Sequence, residues 1–247
     1  MTGTPVASTG GVSISAGARM NLQENTMQTF ATAAPISAVL DIPAGRVRFV
    51  AADRDDVTVE VLPADASKGR DVKAAEQTTV EYADGVLRIL ASAKNQYFRS
   101  SGSIDVSVQL PADSTIEGKA AAAEFRAVGR FGAVAFNGAY GTIEVDEAAS
   151  VHLTAVAGDV SVNRLHGPAE ITTSKGDIRI AEAHQGAVVL RTQSGDVSID
   201  AAHGVSASLD AGTTLGRIAN SLKNADGVAD LAIQATTAHG DIVARSL

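Results

Sequence analysis

Residues 157–167 read AGDVSVNRLHG, and their glycine, aspartate and alternating valines decide the fold because they recur along the chain. The pattern G-D-[VI]-x-[VI] appears as GDVSV at Gly158, GDIRI at Gly176 and GDVSI at Gly195. Valine or isoleucine at every second position indicates a half-buried β-strand after each glycine. Looser copies are GTIEV at Gly141, GRIAN at Gly216, GDIVA at Gly240 and the degenerate AEFRA at Ala123.

The copies keep a nearly constant spacing. Counted between positions 123, 141, 158, 176, 195, 216 and 240, the intervals are 18, 17, 18, 19, 21 and 24 residues. A period near 18 is typical of a solenoid, in which each coil is stabilised by stacking on its neighbours. We therefore predict an all-β, single-domain β-solenoid with coils of about 18 residues, its handedness left open. The final GDIVARSL strand would be an uncovered edge of the stack unless another chain or the N-terminal tail pairs with it.

The pattern divides the chain into three parts. Residues 1–26 are rich in Gly, Ser, Thr and Ala, which predicts a flexible N-terminal tail. Residues 27–115 alternate apolar and polar residues between short turns, which predicts strand-rich coils of the same domain. Residues 116–247 hold the regular repeat coils.

Composition narrows the function classes. A net charge of −8 argues against a nucleic-acid partner, and the chain has no cysteine for disulfides, thiolate catalysis or Cys-based metal sites. No apolar run reaches the roughly 20 residues of a membrane span, and the N-terminus lacks a secretory signal pattern. These features favour a cytoplasmic location, with the cell surface by a non-classical route as the alternative.

The serial repeats, together with PAGRVRFVAADRDDVTVEVLPAD from Pro43, IDVSVQLPADS from Ile104 and TAHGDIVARS from Thr237, carry a family resemblance. The chain resembles the bacterial "putative adhesin" β-strand-repeat family, domain of unknown function 4097, and particularly its actinobacterial members. The resemblance covers roughly residues 27–247. It implies a role linked to the bacterial envelope or to stress signalling, and it brings no catalytic residue to this sequence.

One aspartate column is predicted by aligning the repeats. The column consists of the four aspartates that directly follow a repeat glycine. Their stacked carboxylates could bind a cation through their oxygen atoms. Alternatively, each carboxylate caps backbone amides of its turn, facing water or donors such as threonine hydroxyls. The members are Asp159, Asp177, Asp196 and Asp241.

One histidine column is predicted by the same alignment. His166, His184 and His203 each lie eight residues after the glycine of their coil. Stacked at strand spacing, the three imidazoles would form a candidate metal site for Zn²⁺ or Ni²⁺. Alternatively, histidine merely tolerates the backbone geometry beside a turn glycine.

A further candidate is the loop NQYFRSS, whose Tyr97, Phe98 and Arg99 have the residue types that are enriched at interfaces. Alternatively, one of the aromatic rings packs back onto the strands.

Together these features predict a non-enzymatic binding or scaffold module that presents a flat surface to a protein partner. We predict no catalytic residue and no cofactor, and a homodimer through a solenoid end or edge. The alternatives are a glycan- or polymer-active β-helix enzyme, disfavoured by three tyrosines and no tryptophan, and an exported surface adhesin.

Overall fold

The computed structural model describes residues 27–32, 34–91, 102–224 and 227–247. The predicted N-terminal tail (1–26) and the loop containing Tyr97, Phe98 and Arg99 lie outside the described residues. Within the described ranges the chain forms strands and one helix. The elements are β1 (Gln28–Ala31), β2 (Ser37–Ala52), β3 (Asp56–Pro63), α1 (Gly69–Glu76), β4 (Thr78–Ala83), β5 (Val86–Ala91), β6 (Ile104–Pro111), β7 (Thr115–Tyr140), β8 (Ile143–Ala157), β9 (Val160–Leu165), β10 (Ala169–Lys175), β11 (Ile178–Ala183), β12 (Gly186–Ser194), β13 (Val197–Ala201), β14 (Ala207–Leu215), β15 (Ile218–Ser221), β16 (Leu231–His239) and β17 (Ile242–Ser246).

The repeat strands stack in parallel, so the chain is all-β and solenoid-like, as the repeat predicts. Ile143 lies opposite Val160, Val160 opposite Ile178, and Ile178 opposite Val197. We call the strands that follow the corner glycines the post-glycine ladder, and those that precede them the pre-glycine ladder. In neighbour order, the repeat part of the post-glycine ladder is β7, β8, β9, β11, β13, β17 and β15. That of the pre-glycine ladder is β7, β8, β10, β12, β16 and β14.

The last two coils are therefore stacked out of sequence order. β17 lies between β13 and β15, and β16 lies between β12 and β14. The prediction that the terminal GDIVARSL strand is an uncovered edge is wrong, because the chain places the earlier coil β14–β15 outside it. An ion pair also links β17 to β13. Arg245 of β17 donates from Nε and Nη2 to the buried carboxylate of Asp200 of β13, at 2.7 and 2.8 Å.

The other end of the stack is built differently from a coil. β2 lies between β6 and β7 in the post-glycine ladder. β3 pairs antiparallel with β6, and β1 antiparallel with β3, while β4 and β5 form an antiparallel pair beside β2. The helix α1 contacts β3 and β6. Residues 27–115 thus combine β2, which stacks in the ladder as a coil strand does, with antiparallel strands and a helix.

One hydrophobic core runs through both parts. In the repeat part it consists mostly of alternating Val, Ile, Leu and Ala side chains of the two ladders, which are nearly inaccessible to solvent except on β14 and β15. Among the described residues of the repeat part, the buried rings lie near the first coils, where Phe125 stacks on Phe136 with ring centroids 4.3 Å apart. Gly118 makes this possible, since a Cβ there would lie 2.6 Å from the Phe136 ring. The interior is narrow, which is why small aliphatic residues dominate it.

Candidate functional site

The glycine of each repeat forms a corner between the two ladders, and close stacking makes it obligatory. A Cβ on Gly176 would lie 2.2 Å from the carbonyl oxygen of Gly158, and the backbone there has a φ of +142°. Both the left-handed backbone and the contact exclude other residues. Every predicted corner glycine shows the same contact, with distances of 1.8–2.2 Å. The stacking order is Gly141, Gly158, Gly176, Gly195, Gly240, Gly216.

The aspartate column next to the glycines is a hydrogen-bonded ladder. The Oδ1 of Asp159 accepts from the backbone amide of Asp177 at 2.9 Å, and that of Asp177 from the amide of Asp196 at 2.8 Å. The Oδ1 of Asp196 accepts from Asp241 at 2.7 Å, and that of Asp241 from Arg217 at 2.8 Å. Each carboxylate therefore caps a corner amide of the neighbouring coil. This is the amide-capping alternative, with the acceptor one coil away from its donor.

The threonines three residues before the glycines do not donate to these carboxylates. The Thr192 hydroxyl donates instead to the carbonyl oxygen of Gly176 at 3.1 Å, and Thr237 to that of Gly195 at 3.0 Å. Both threonines are buried. Side chains of adjacent coils thus form hydrogen bonds with the backbone amides and carbonyls at each corner. The role of these aspartates and threonines is structural.

The pKa of Asp241 is lowered from its ordinary value of 3.8, first by the Arg217 amide and then by the Arg217 guanidinium. A lowered folded-state pKa stabilises the fold above the unfolded pKa, and this contribution is lost as the pH falls through the folded value. We expect Asp241→Asn to lower the urea midpoint at pH 7, and the deficit to shrink at about pH 3. The matched control is Asp210→Asn, which changes an exposed aspartate on β14. An equal deficit for Asp241→Asn at both pH values would contradict this origin.

The predicted histidine column contains two stacked rings rather than three. The rings of His166 and His184 lie 4.7 Å apart and are inclined by 22°. The Nε2 of His166 is 2.9 Å from Glu147 Oε1, and that of His184 is 3.6 Å from Glu182 Oε1. His203 leaves the column because the pairing of β11 with β13 shifts by one residue between Ile180 and Ala183.

The hydrogen bonds beside the column confirm this shift. The His184 amide donates to the carbonyl oxygen of Leu165, and in the next coil the amide of Ala202 donates to that of Ala183. Ala202 therefore takes the position over His184, and His203 is exposed one residue further on. Within the described ranges, no three His, Asp or Glu side chains converge as metal ligands.

The outer face of the pre-glycine ladder carries a feature that the repeat alignment misses. Two shallow depressions of about 350 and 400 Å³ meet at Ala187 and Val189 and cross six neighbouring strands. We call this depression the trough. Its floor is a row of small side chains in matching register: Ala133, Ser150, Pro168, Ala187, Ala232 and Ser208.

A polar cluster lines one side of the trough. Glu170 lies between two basic side chains, with its Oε2 3.4 Å from His152 Nδ1 and its Oε1 3.3 Å from Arg191 Nη1.

Five strand spacings of about 4.8 Å give the trough a length of about 24 Å. In the sequence, the trough is marked only by small residues, which carry no distinctive chemistry.

Among the residues that the structure describes, no helix has the length and apolar character needed to cross a bilayer.

Several solved structures are similar to the chain. A "putative cell adhesion protein" from Clostridium sporogenes matches at 10% identity and a TM-score of 0.39, covering 91% of this chain and 100% of that one. A "putative adhesin" from Bacteroides fragilis matches at 10% identity and a TM-score of 0.44, covering 90% and 97%. A "putative lipid binding protein" from Parabacteroides distasonis matches at 11% identity and a TM-score of 0.40, covering 90% and 97%.

No curated protein sequence matches the chain. The Toastrack DUF4097 family model matches residues 39–245, which include both ladders and nearly all of the strands at the other end of the stack. The actinobacterial type stays a prediction. With a match over most of its length, the chain belongs to the Toastrack DUF4097 family.

Proposed function

We propose that the chain is a non-enzymatic, adhesin-like binding module that holds an extended segment of a protein partner in the trough. The observation that carries the proposal is the continuous floor of small side chains across six strands. A floor without large side chains lets a partner backbone approach the sheet closely. A length of about 24 Å corresponds to about seven residues of extended peptide.

The walls of the trough suit a peptide better than a flat apolar partner. Val189 supplies apolar contact, while His152, Glu170 and Arg191 hold one another in place and keep donors and acceptors at the rim. An apolar centre with a polar rim is the usual arrangement of a protein-binding surface. The trough is also open along its length, whereas electrostatic stabilisation of a transition state is strongest in a site that excludes water. This supports the proposal that the chain is not an enzyme.

We expect Ala187→Arg to weaken peptide binding by about tenfold or more, because a long charged side chain would fill the floor at its centre. The measurement is the affinity of heptapeptides selected on the wild-type chain from a random phage-displayed library. Ser198→Arg, on the outer face of the post-glycine ladder, is the matched control and should bind normally. Peptides that bind Ala187→Arg as tightly as the wild type would place the binding surface elsewhere.

The proposal includes a role in a bacterial envelope or stress-related pathway, from the cytoplasm or at the cell surface. Fractionation of the host distinguishes these two locations.

A further inference from the structure

The end of the stack formed by β14 and β15 is open. In the described part of the chain, β15 pairs with β17 on one side and with no strand on the other. All four residues of β15 are exposed, although Ile218 lies in register with the buried Ile242 of the core row. Ile218 is 46% exposed. A parallel strand with an unpaired backbone edge and an exposed core row is a template for one more strand.

The corner geometry specifies the sequence that such a strand must have. Its corner residue should be glycine, because each of the six stacked corner glycines from Gly141 to Gly216 brings a Cβ position within 1.8–2.2 Å of the preceding carbonyl oxygen. Apolar residues must follow two and four positions later to cover the core rows. An aspartate is not needed, since each ladder aspartate accepts from the amide of the coil outside it and the added strand would have no coil outside it.

A segment with this sequence lies near the start of the chain. Residues 10–16, which are outside the described residues, read GGVSISA, and the coil strand at 195–201 reads GDVSIDA. The two differ only at the aspartate position and at the sixth residue. We infer that residues 10–16 of a second copy of this chain add a parallel strand to β15 and close the open end. The inference does not depend on the trough.

The segment of the same molecule is too short to reach this site. Ten strand spacings separate β1 from β15 along the post-glycine ladder, so a strand beyond β15 lies about 53 Å from β1. The ten residues 17–26 join residue 16 to Met27. Fully extended, they span at most about 40 Å. The strand must therefore come from another copy.

The register follows from placing Gly10 over Gly216. Val12 then covers Ile218, and Ile14 covers Asn220, which is exposed in the next inward row. Ser13 points outward beside Ala219. This exchange stabilises the terminal coil of the receiving copy, and exchange in both directions closes the assembly at two chains.

Cross-linking tests both the register and the source of the strand. The chain has no cysteine, so Ser13→Cys on one copy and Ala219→Cys on another can form a disulfide only between chains. Facing positions on parallel strands are about 4.8 Å apart, within the Cα range that a disulfide bridges. We expect the mixture to give a covalent dimer under mild oxidation. Ser13→Cys mixed with Ser198→Cys, two strands further in, is the matched control and should not cross-link.

Mass measurement by light scattering tests the energetics. The wild-type chain should exceed its monomer mass of 25.1 kDa. Ile14→Asp should raise the dissociation constant by about 10- to 100-fold, because a charge replaces a buried side chain. The matched variant Ser13→Asp should associate normally. A wild-type monomer at about 100 μM, association unchanged in Ile14→Asp, or a Ser13→Cys/Ala219→Cys double variant that cross-links within one chain would overturn the inference.

Discussion

A chain shortened to end at Ala229 is expected to unfold at a much lower urea concentration than the full chain, because β16 and β17 are an internal layer. They contribute Leu231, Ile233 and Ile242 to the core, each at most 3% exposed. Burial of three such side chains stabilises the fold by roughly 5–9 kcal/mol. That is comparable with the whole stability of an ordinary domain. The measurement is the urea midpoint followed by circular dichroism.

The control is a larger deletion that should be tolerated. Removing residues 205–229 takes away β14, β15 and the connection to β16, and joins Gly204 to Asp230. β13 would then lead into β16 through residues 202–204 and 230, a connection one residue longer than residues 166–168 between β9 and β10. We expect this chain to fold cooperatively, with β16 and β17 as its end coil. If both deletions lower the midpoint equally, the out-of-sequence stacking of the last two coils is wrong.

Gly176→Ala is expected to cost about 3 kcal/mol or more, although it adds a single methyl group. The methyl carbon would lie 2.2 Å from the Gly158 carbonyl oxygen, and moving that carbonyl would break the corner of the neighbouring coil. The left-handed backbone adds about 1–2 kcal/mol to the cost. Because the contact repeats at every corner, the strain cannot be relieved by a local shift.

Two other glycines separate these contributions. Gly85 has a φ of +73° but open space around its Cβ position, so Gly85→Ala should cost only about 1–2 kcal/mol. Gly212 also has open space, and its backbone lies outside the left-handed range, so Gly212→Ala should be neutral or stabilise by up to about 1 kcal/mol. The urea midpoints of the three variants should therefore rank Gly212→Ala above Gly85→Ala above Gly176→Ala. An equal loss for Gly85→Ala and Gly176→Ala would show that the carbonyl contact carries no weight.

Local patterns predicted the strands and corners well, because the physics that fixes them is local. Alternating apolar residues face the narrow core at every repeat, as at Val160 and Val162, and a glycine occupies every corner from Gly141 onward. Even the degenerate copy at Ala123 is in register, since Phe125 lies opposite Ile143.

The stacking order could not be read from the repeat, because every copy presents nearly the same surfaces to its neighbours. The repeat pattern alone therefore does not say whether β15 or β17 follows β13. The sequence does hold one signal for the end of the stack. GRIAN places Arg217 where the aspartate ladder would continue and Asn220 at a core position, and both departures mark the last coil that the chain itself supplies.

The candidate site was less predictable for two different reasons. Counting from the glycine misplaced His203, because one fewer residue in β13 shifts the register after Ile199. The trough was missed because its floor consists of residues without distinctive chemistry, such as Ala187 and Pro168. Its shape arises only when six strands from distant parts of the chain lie side by side.

The inward placement of β2 and β17 has a mechanical consequence. Each is bordered on both sides by strands from elsewhere in the chain, β6 and β7 in one case and β13 and β15 in the other. An unfolding motor that pulls β17 from its C-terminal end must break two rows of backbone hydrogen bonds simultaneously, one to β13 and one to β15. Coil-by-coil peeling, the easy route for a serial solenoid, is blocked at this end, so the first step of forced extraction should be the hardest.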